Sequence, residues 1–204
     1  MHISEGVLSG SVLISGGVLA AAGTAIGLKK LDYDRIAHVS ILSASFFVAS
    51  LIHVPVGPSS VHLILNGIVG LLLGWAAFPA ILIALVLQAV LFQFGGITSL
   101  GVNTVIMATP AVVCHYMFSH MIWQKPLFSW VSGFASGFFA VFMSAILVGI
   151  ALMSTDENFL EISSLVVITH TPVMVIEGIV TAFFITFLKK VQPSMLPGFS
   201  PQSD

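Results

Sequence analysis

Apolar residues run along this chain in long blocks, with polar residues gathered in short gaps between them. Seven blocks approach the ~20 residues that an α-helix needs to cross a bilayer. They cover roughly residues 7–28, 36–53, 59–75, 77–94, 100–123, 128–153 and 163–188. None alternates apolar with polar positions, so they read as helices rather than as barrel strands. The third is short and glycine-rich, opened by Pro58 and closed near Pro79. The pattern predicts an all-α integral membrane protein with about seven transmembrane helices. Residues 1–190 form one transmembrane domain, and the polar, proline-bearing stretch 191–204 is expected to be a disordered cytoplasmic tail.

Charge orients the spans. Lys29, Lys30 and Arg35 fall between the first and second, Lys125 between the fifth and sixth, and Lys189 and Lys190 after the seventh. With an odd number of spans and the amino terminus outside, all six basic residues face the cytoplasm, as the positive-inside rule asks. Asp156, Glu157 and Glu161 then face outward. Small residues recur at four-residue spacing, as in Ala21 with Ala25 and Ser45 with Ala49, and such pairs let helices approach closely.

Composition agrees. Charged residues make up 7% of the chain and hydrophobic ones 57%, with mean hydropathy +1.11. Soluble domains carry about 25% charged residues, so this chain could not cover a soluble surface. The net charge of −2 gives no basis for nucleic-acid binding. A single cysteine, Cys114, excludes an intramolecular disulfide and reads as a small packing residue. Basic residues follow the first apolar block instead of preceding it, so no cleavable signal peptide is expected.

The amino terminus carries the sharpest chemistry. Histidine in second position lets the terminal amine of Met1, the deprotonated His2 amide and the His2 imidazole close two fused rings around one metal ion. Three nitrogens in one plane suit Ni(II) and Cu(II), with Co(II) possible. A fourth donor must come from elsewhere in the fold.

Ionisable and polar residues inside spans are costly and point to function. His53 and His62 lie in the outer half, and His62 sits where an inserted amino-terminal loop could reach it. Gln88 and Gln93 lie on the fourth span, followed by the glycine-rich polar stretch Gly95-Gly-Ile-Thr-Ser-Leu-Gly101-Val-Asn103. Asn66, Thr98 and Asn103 could close hydrogen bonds around a site or fix a histidine tautomer. His170 and Glu177 stand two turns apart on the last span with Pro172 between them, where a carboxylate could bond a histidine or carry a contact that moves in transport. His115 and His120 diverge by about 140° on a helix and read as interfacial or packing residues; His38 reads the same way. The chain carries no H-E-x-x-H, G-x-S-x-G or Walker lysine motif, so an enzyme or a self-contained ATPase is not expected.

Four stretches together resemble the substrate-capture subunit of energy-coupling-factor transporters for cobalt and nickel, the CbiM/NikM family. They are Met1-His2-Ile3-Ser4-Glu5-Gly6, Ser59-Ser-Val-His62 with Asn66-Gly67 and Gly70, the stretch 95–103, and His170-Thr-Pro-Val-Met-Val-Ile-Glu177-Gly178. The resemblance implies one amino-terminal helix added to a six-helix core, with the amino terminus folding back into the core from outside. It implies Met1, His2 and His62 as metal ligands, His62 giving the fourth nitrogen. It also implies a transmembrane coupling protein and cytoplasmic ATPases as partners, a separate small accessory subunit, and a bacterial or archaeal plasma membrane. Ni(II) or Co(II) would be the transported substrate, with no organic cofactor. A vitamin-capturing subunit of the same transporter type would leave the pairing of His2 with His62 unexplained; a non-transporting scaffold would leave His170 and Glu177 so. Planar nitrogen coordination favours nickel, but the sequence leaves nickel and cobalt both open.

Overall fold

The computed structural model describes residues 2–56, 59–156 and 159–198. Seven α-helices follow in the predicted order among them: α1 (Gly10–Lys29), α2 (Ile36–Ala49), α3 (Asn66–Leu73), α4 (Ala77–Phe92), α5 (Leu100–Phe118), α6 (Pro126–Met153) and α7 (Leu160–Val191). Five helical stretches, 10–29, 66–92, 100–121, 126–153 and 165–191, are long and apolar enough to cross a membrane. Large apolar side chains such as Ile14, Val18, Val90 and Phe183 stay exposed on the outside of the bundle, as a lipid solvent allows.

The predicted third span is not a continuous helix. Residues 59–62 form strand β2, which pairs antiparallel with β1 (His53–Val56). Helix α3 begins only after Leu65, whose φ of 57° is left-handed, and lasts eight residues. It ends at Gly74, where φ is +53° and a Cβ would stand 3.1 Å from the His115 ring. A side chain there would be strained twice over, by conformation and by space. The second span is likewise shorter than predicted, because His53 leaves the helix for the ribbon.

Contacts fix the relative directions. Asn66 lies against Met107, and His115 bonds the Leu71 carbonyl at 3.0 Å, so α3 runs alongside α5 in the same sense. At Gly70 the two backbones approach so closely that a Cβ would fall on the Ala111 carbonyl. The chain then reverses. Helix α4 starts beside Gly27 at the end of α1 and climbs until Gln88 reaches His2. The α1 seam is Gly16, Ala20, Gly23 and Gly27, not the predicted Ala21 and Ala25, which are exposed. Ser45 of the other predicted pair is exposed as well. Buried serines tie helices across the core: Ser43 to the Ala80 carbonyl at 2.7 Å, and Ser144 to that of Ile106 at 2.9 Å.

The two ends of the bundle differ in charge. Lys30 lies over Trp75, Arg35 donates to the Met195 carbonyl at 3.0 Å, and Lys189 donates to Ile122 and Gln124. These basic residues share one end, and His2, the 93–99 loop and Thr155 share the other. The predicted disordered tail is docked as far as Gly198: Leu196 is buried, and Trp123 donates to the Pro197 carbonyl at 2.6 Å. The arginine and tryptophan donors satisfy tail carbonyls that would otherwise need water, which a pattern of polar residues does not reveal.

Candidate metal centre

The amino-terminal segment enters the bundle from the end opposite the lysines. Ile3 and Leu8 are buried and anchor it by apolar contact. Asn103, buried on the first turn of α5, fixes its path. The Ile3 amide donates to Asn103 Oδ1 at 2.9 Å, and Asn103 Nδ2 donates back to the Ile3 carbonyl at 3.1 Å. One carboxamide thus pairs both backbone groups of Ile3 as a neighbouring strand would. Asn103 also donates to Ser99 Oγ at 3.2 Å. Gly95, at φ +80°, lets the loop lie over this pair; a Cβ there would stand 2.9 Å from Asn103 Nδ2.

Held in this way, the His2 ring faces the His62 ring with centroids 5.0 Å apart and planes tilted by 34°. Phe94 lies on another side at 6.3 Å. His2 Nε2 stands 2.7 Å from Gln88 Oε1 on α4. Burial lowers the His2 imidazole pKa from 6.5 to about 3, so the ring is neutral at ordinary pH. His62 ends strand β2 and bonds the adjacent Leu63 carbonyl through Nδ1 at 2.9 Å. A carbonyl only accepts, so Nδ1 carries the proton and Nε2 the lone pair. Met1 lies outside the described residues. His53 stands opposite His62 in the strand register.

The remaining predicted residues separate. Glu177 is fully buried and accepts from the Ile64 amide, and from the Leu65 amide at 3.0 Å and 3.1 Å. It therefore holds the turn after His62 and does not meet His170, which bonds its own helix at the Val166 carbonyl, 2.7 Å away. Asn66 is buried, and its side-chain amide donates to Ser144 at 3.0 Å and to the Met107 carbonyl of α5 rather than to a histidine. Thr98 is exposed; its neighbour Ser99 is the buried hydroxyl near the site. Gln88 and Phe94 were not among the predicted site residues. A polar residue in the middle of the apolar run 77–92 was the signal for Gln88.

Among the described residues no three His, Cys, Asp or Glu side chains converge to hold a metal. A metal at this place would need donors beyond the two imidazoles. The known proteins that this chain matches are metal transporters. The family model described as CbiM, cobalt uptake substrate-specific transmembrane region, matches residues 2–195. The chain belongs to the CbiM family. A Haemophilus influenzae protein named for metal transport is 44% identical over 96% of this chain and 97% of its own. A fused nickel transport protein NikMN of Rhodobacter capsulatus is 36% identical over 53% of this chain and 33% of its own. A crystal structure of a transition metal transporter superposes with TM-score 0.74 at 27% identity, covering 94% of this chain and 93% of that one. As a CbiM-family member with five apolar helices of crossing length, the chain is a multi-pass protein of the prokaryotic plasma membrane.

Proposed function

We propose that this protein is the metal-capturing subunit of an ATP-driven Co(II)/Ni(II) importer. It binds the ion through the amine of Met1, the amide and imidazole nitrogens of His2, and the imidazole of His62. The observation that carries this reading is the 5.0 Å approach of the His2 and His62 rings, made across the whole fold by an amino-terminal segment clamped on Asn103. Residues sixty positions apart meet here at a buried, neutral imidazole, the form that binds metal. Nitrogen coordination in a plane favours Ni(II) over Co(II) by geometry.

Helix α2 serves as a further pass, and the 66–92 stretch, which reverses at Gly74, serves as two, the ribbon with α3 and then α4; this makes seven and sets the amino terminus outside. The basic end then faces the cytoplasm. The chain carries no nucleotide-binding motif, so uptake draws its energy from a membrane coupling protein and cytoplasmic ATPases. The fused, longer nickel transport relative supports the idea that such subunits act together with partner chains, including a small accessory subunit. Asn103 orients the inserted segment; Glu177 orients the turn that carries His62.

Metal content of the purified subunit tests the site. Wild type should hold one equivalent of nickel or cobalt. One extra residue before Met1 moves the amine out of its ring and should abolish tight binding, as should His2→Ala, with the fold retained. His62→Ala should weaken binding, and a carboxy-terminal tag should not. Full occupancy in the amino-terminally extended protein would overturn the reading.

A further inference from the structure

We infer that Gln88 is a positioning residue that sets the tautomer of His2 and so presents Nδ1 of that ring to the transported metal. The inference rests on the His2-centred site proposed above and names the residue that makes this imidazole a competent ligand.

The two imidazole nitrogens of His2 are not equivalent for a chelate that includes the residue's own amide. Through Nδ1 the ring closes over Cα, Cβ and Cγ as an unstrained six-membered chelate. Through Nε2 the loop is larger, and the lone pair points away from the amide. Binding therefore needs the lone pair on Nδ1 and the proton on Nε2. Gln88 Oε1 stands 2.7 Å from His2 Nε2. An amide oxygen only accepts, so this contact requires the Nε2 proton and leaves Nδ1 unprotonated. His62 has the reverse arrangement, Nδ1 to the Leu63 carbonyl. Each ring is thus locked by an outer acceptor on the nitrogen that does not face the metal, and the two present opposite nitrogens.

The environment of Gln88 shows what the residue is for. It is fully buried in α4 among Ala84, Leu85 and Ala89. Its Nε2 has no hydrogen-bond partner. A buried amide donor left unpaired is unfavourable, and a leucine would fill an apolar helix face without that cost. Packing and a satisfied polar network are therefore both poor reasons for a glutamine here. The acceptor toward His2 is the one interaction that needs it. Partners of this kind, which orient a metal-binding imidazole and raise its basicity, change metal affinity about 10–100-fold when removed.

The test compares Gln88→Leu and Gln88→Glu with wild type and His2→Ala, using Ni(II) and Co(II) titrations of the full-length subunit in detergent. Gln88→Leu should weaken Ni(II) binding about 10–100-fold. Gln88→Glu keeps an acceptor in place and should bind at least as tightly as wild type. A purely structural role predicts the reverse order, because Leu suits the apolar helix and a buried carboxylate does not. In metal-free protein with 15N-labelled histidine, His2 should be protonated at Nε2 in wild type and in Gln88→Glu, and shift toward a mixture in Gln88→Leu. Should Gln88→Leu not fold, the wild-type tautomer and the Gln88→Glu affinity still decide. A wild-type His2 protonated at Nδ1, or Gln88→Leu with wild-type affinity while His2→Ala has lost it, overturns the inference and leaves the site standing. Wild-type affinity in His2→Ala would overturn both.

Discussion

Removing the Glu177 carboxylate should loosen the turn that carries His62. Its oxygens accept from the backbone amides of Ile64 and Leu65, more than a hundred residues away in sequence and with Ile64 fully buried. Glu177→Ala leaves these two amides without a partner inside the bundle. Each unsatisfied buried donor costs about 1–3 kcal/mol, so the loss is about 2–6 kcal/mol in a fold whose whole stability is about 5–15 kcal/mol. Glu177→Gln keeps one acceptor oxygen and loses the charge assistance, for about 1–2 kcal/mol. Leu65 holds a left-handed conformation at this point, so the segment relaxes once it is released. A local opening worth about 2 kcal/mol would leave about one molecule in thirty with His62 in place and raise the apparent Kd about 30-fold. Thermal unfolding in detergent and nickel titration should therefore rank wild type above Gln and Gln above Ala in both measurements. Wild-type melting and wild-type affinity in Glu177→Ala would refute the role given to this carboxylate.

Three other outcomes follow from the same geometry. Single cysteines at Asp156 and Lys190 in a Cys114-free protein should label from opposite faces of intact cells, and labelling from one face would exclude α7 as a crossing and rule out seven spans. Gly70→Val should separate α3 from α5, because its side chain would press on the Ala111 backbone, and lower the melting temperature by the equivalent of about 1–3 kcal/mol; an unchanged melt would contradict that packing. The lowered His2 pKa makes neutral imidazole part of the folded state. Its stabilising contribution is fully present above the unfolded value of 6.5 and is lost as pH falls from there toward about 3, so metal-free wild type should lose stability between pH 6.5 and 4.5 more steeply than His2→Ala.

Hydropathy determined most of the architecture, because in a bilayer a backbone has few ways to pair its own polar groups. Each of the seven apolar blocks contains an α-helix, in the predicted order and with five helical stretches of crossing length among the described residues, and the gathering of the basic residues at one end followed from where they fall between blocks. The proposed chelate of Met1 and His2 is equally local, since it would use consecutive backbone atoms of adjacent residues. What hydropathy could not supply was conformation inside an apolar run. Residues 59–75 are as apolar as a helix requires, yet the ribbon, the left-handed Leu65 and the reversal at Gly74 divide them. Partners over long sequence distances were also hidden. Glu177 was visible as a costly carboxylate, but its bond to Ile64 and Leu65 depends on how α7 lies against α3. Gln88 was visible as a polar residue in a span, but only the packing of α4 beside the inserted amino terminus brings its Oε1 to His2. A sequence records the energetic cost of burying a polar group; only tertiary structure decides which distant group offsets it.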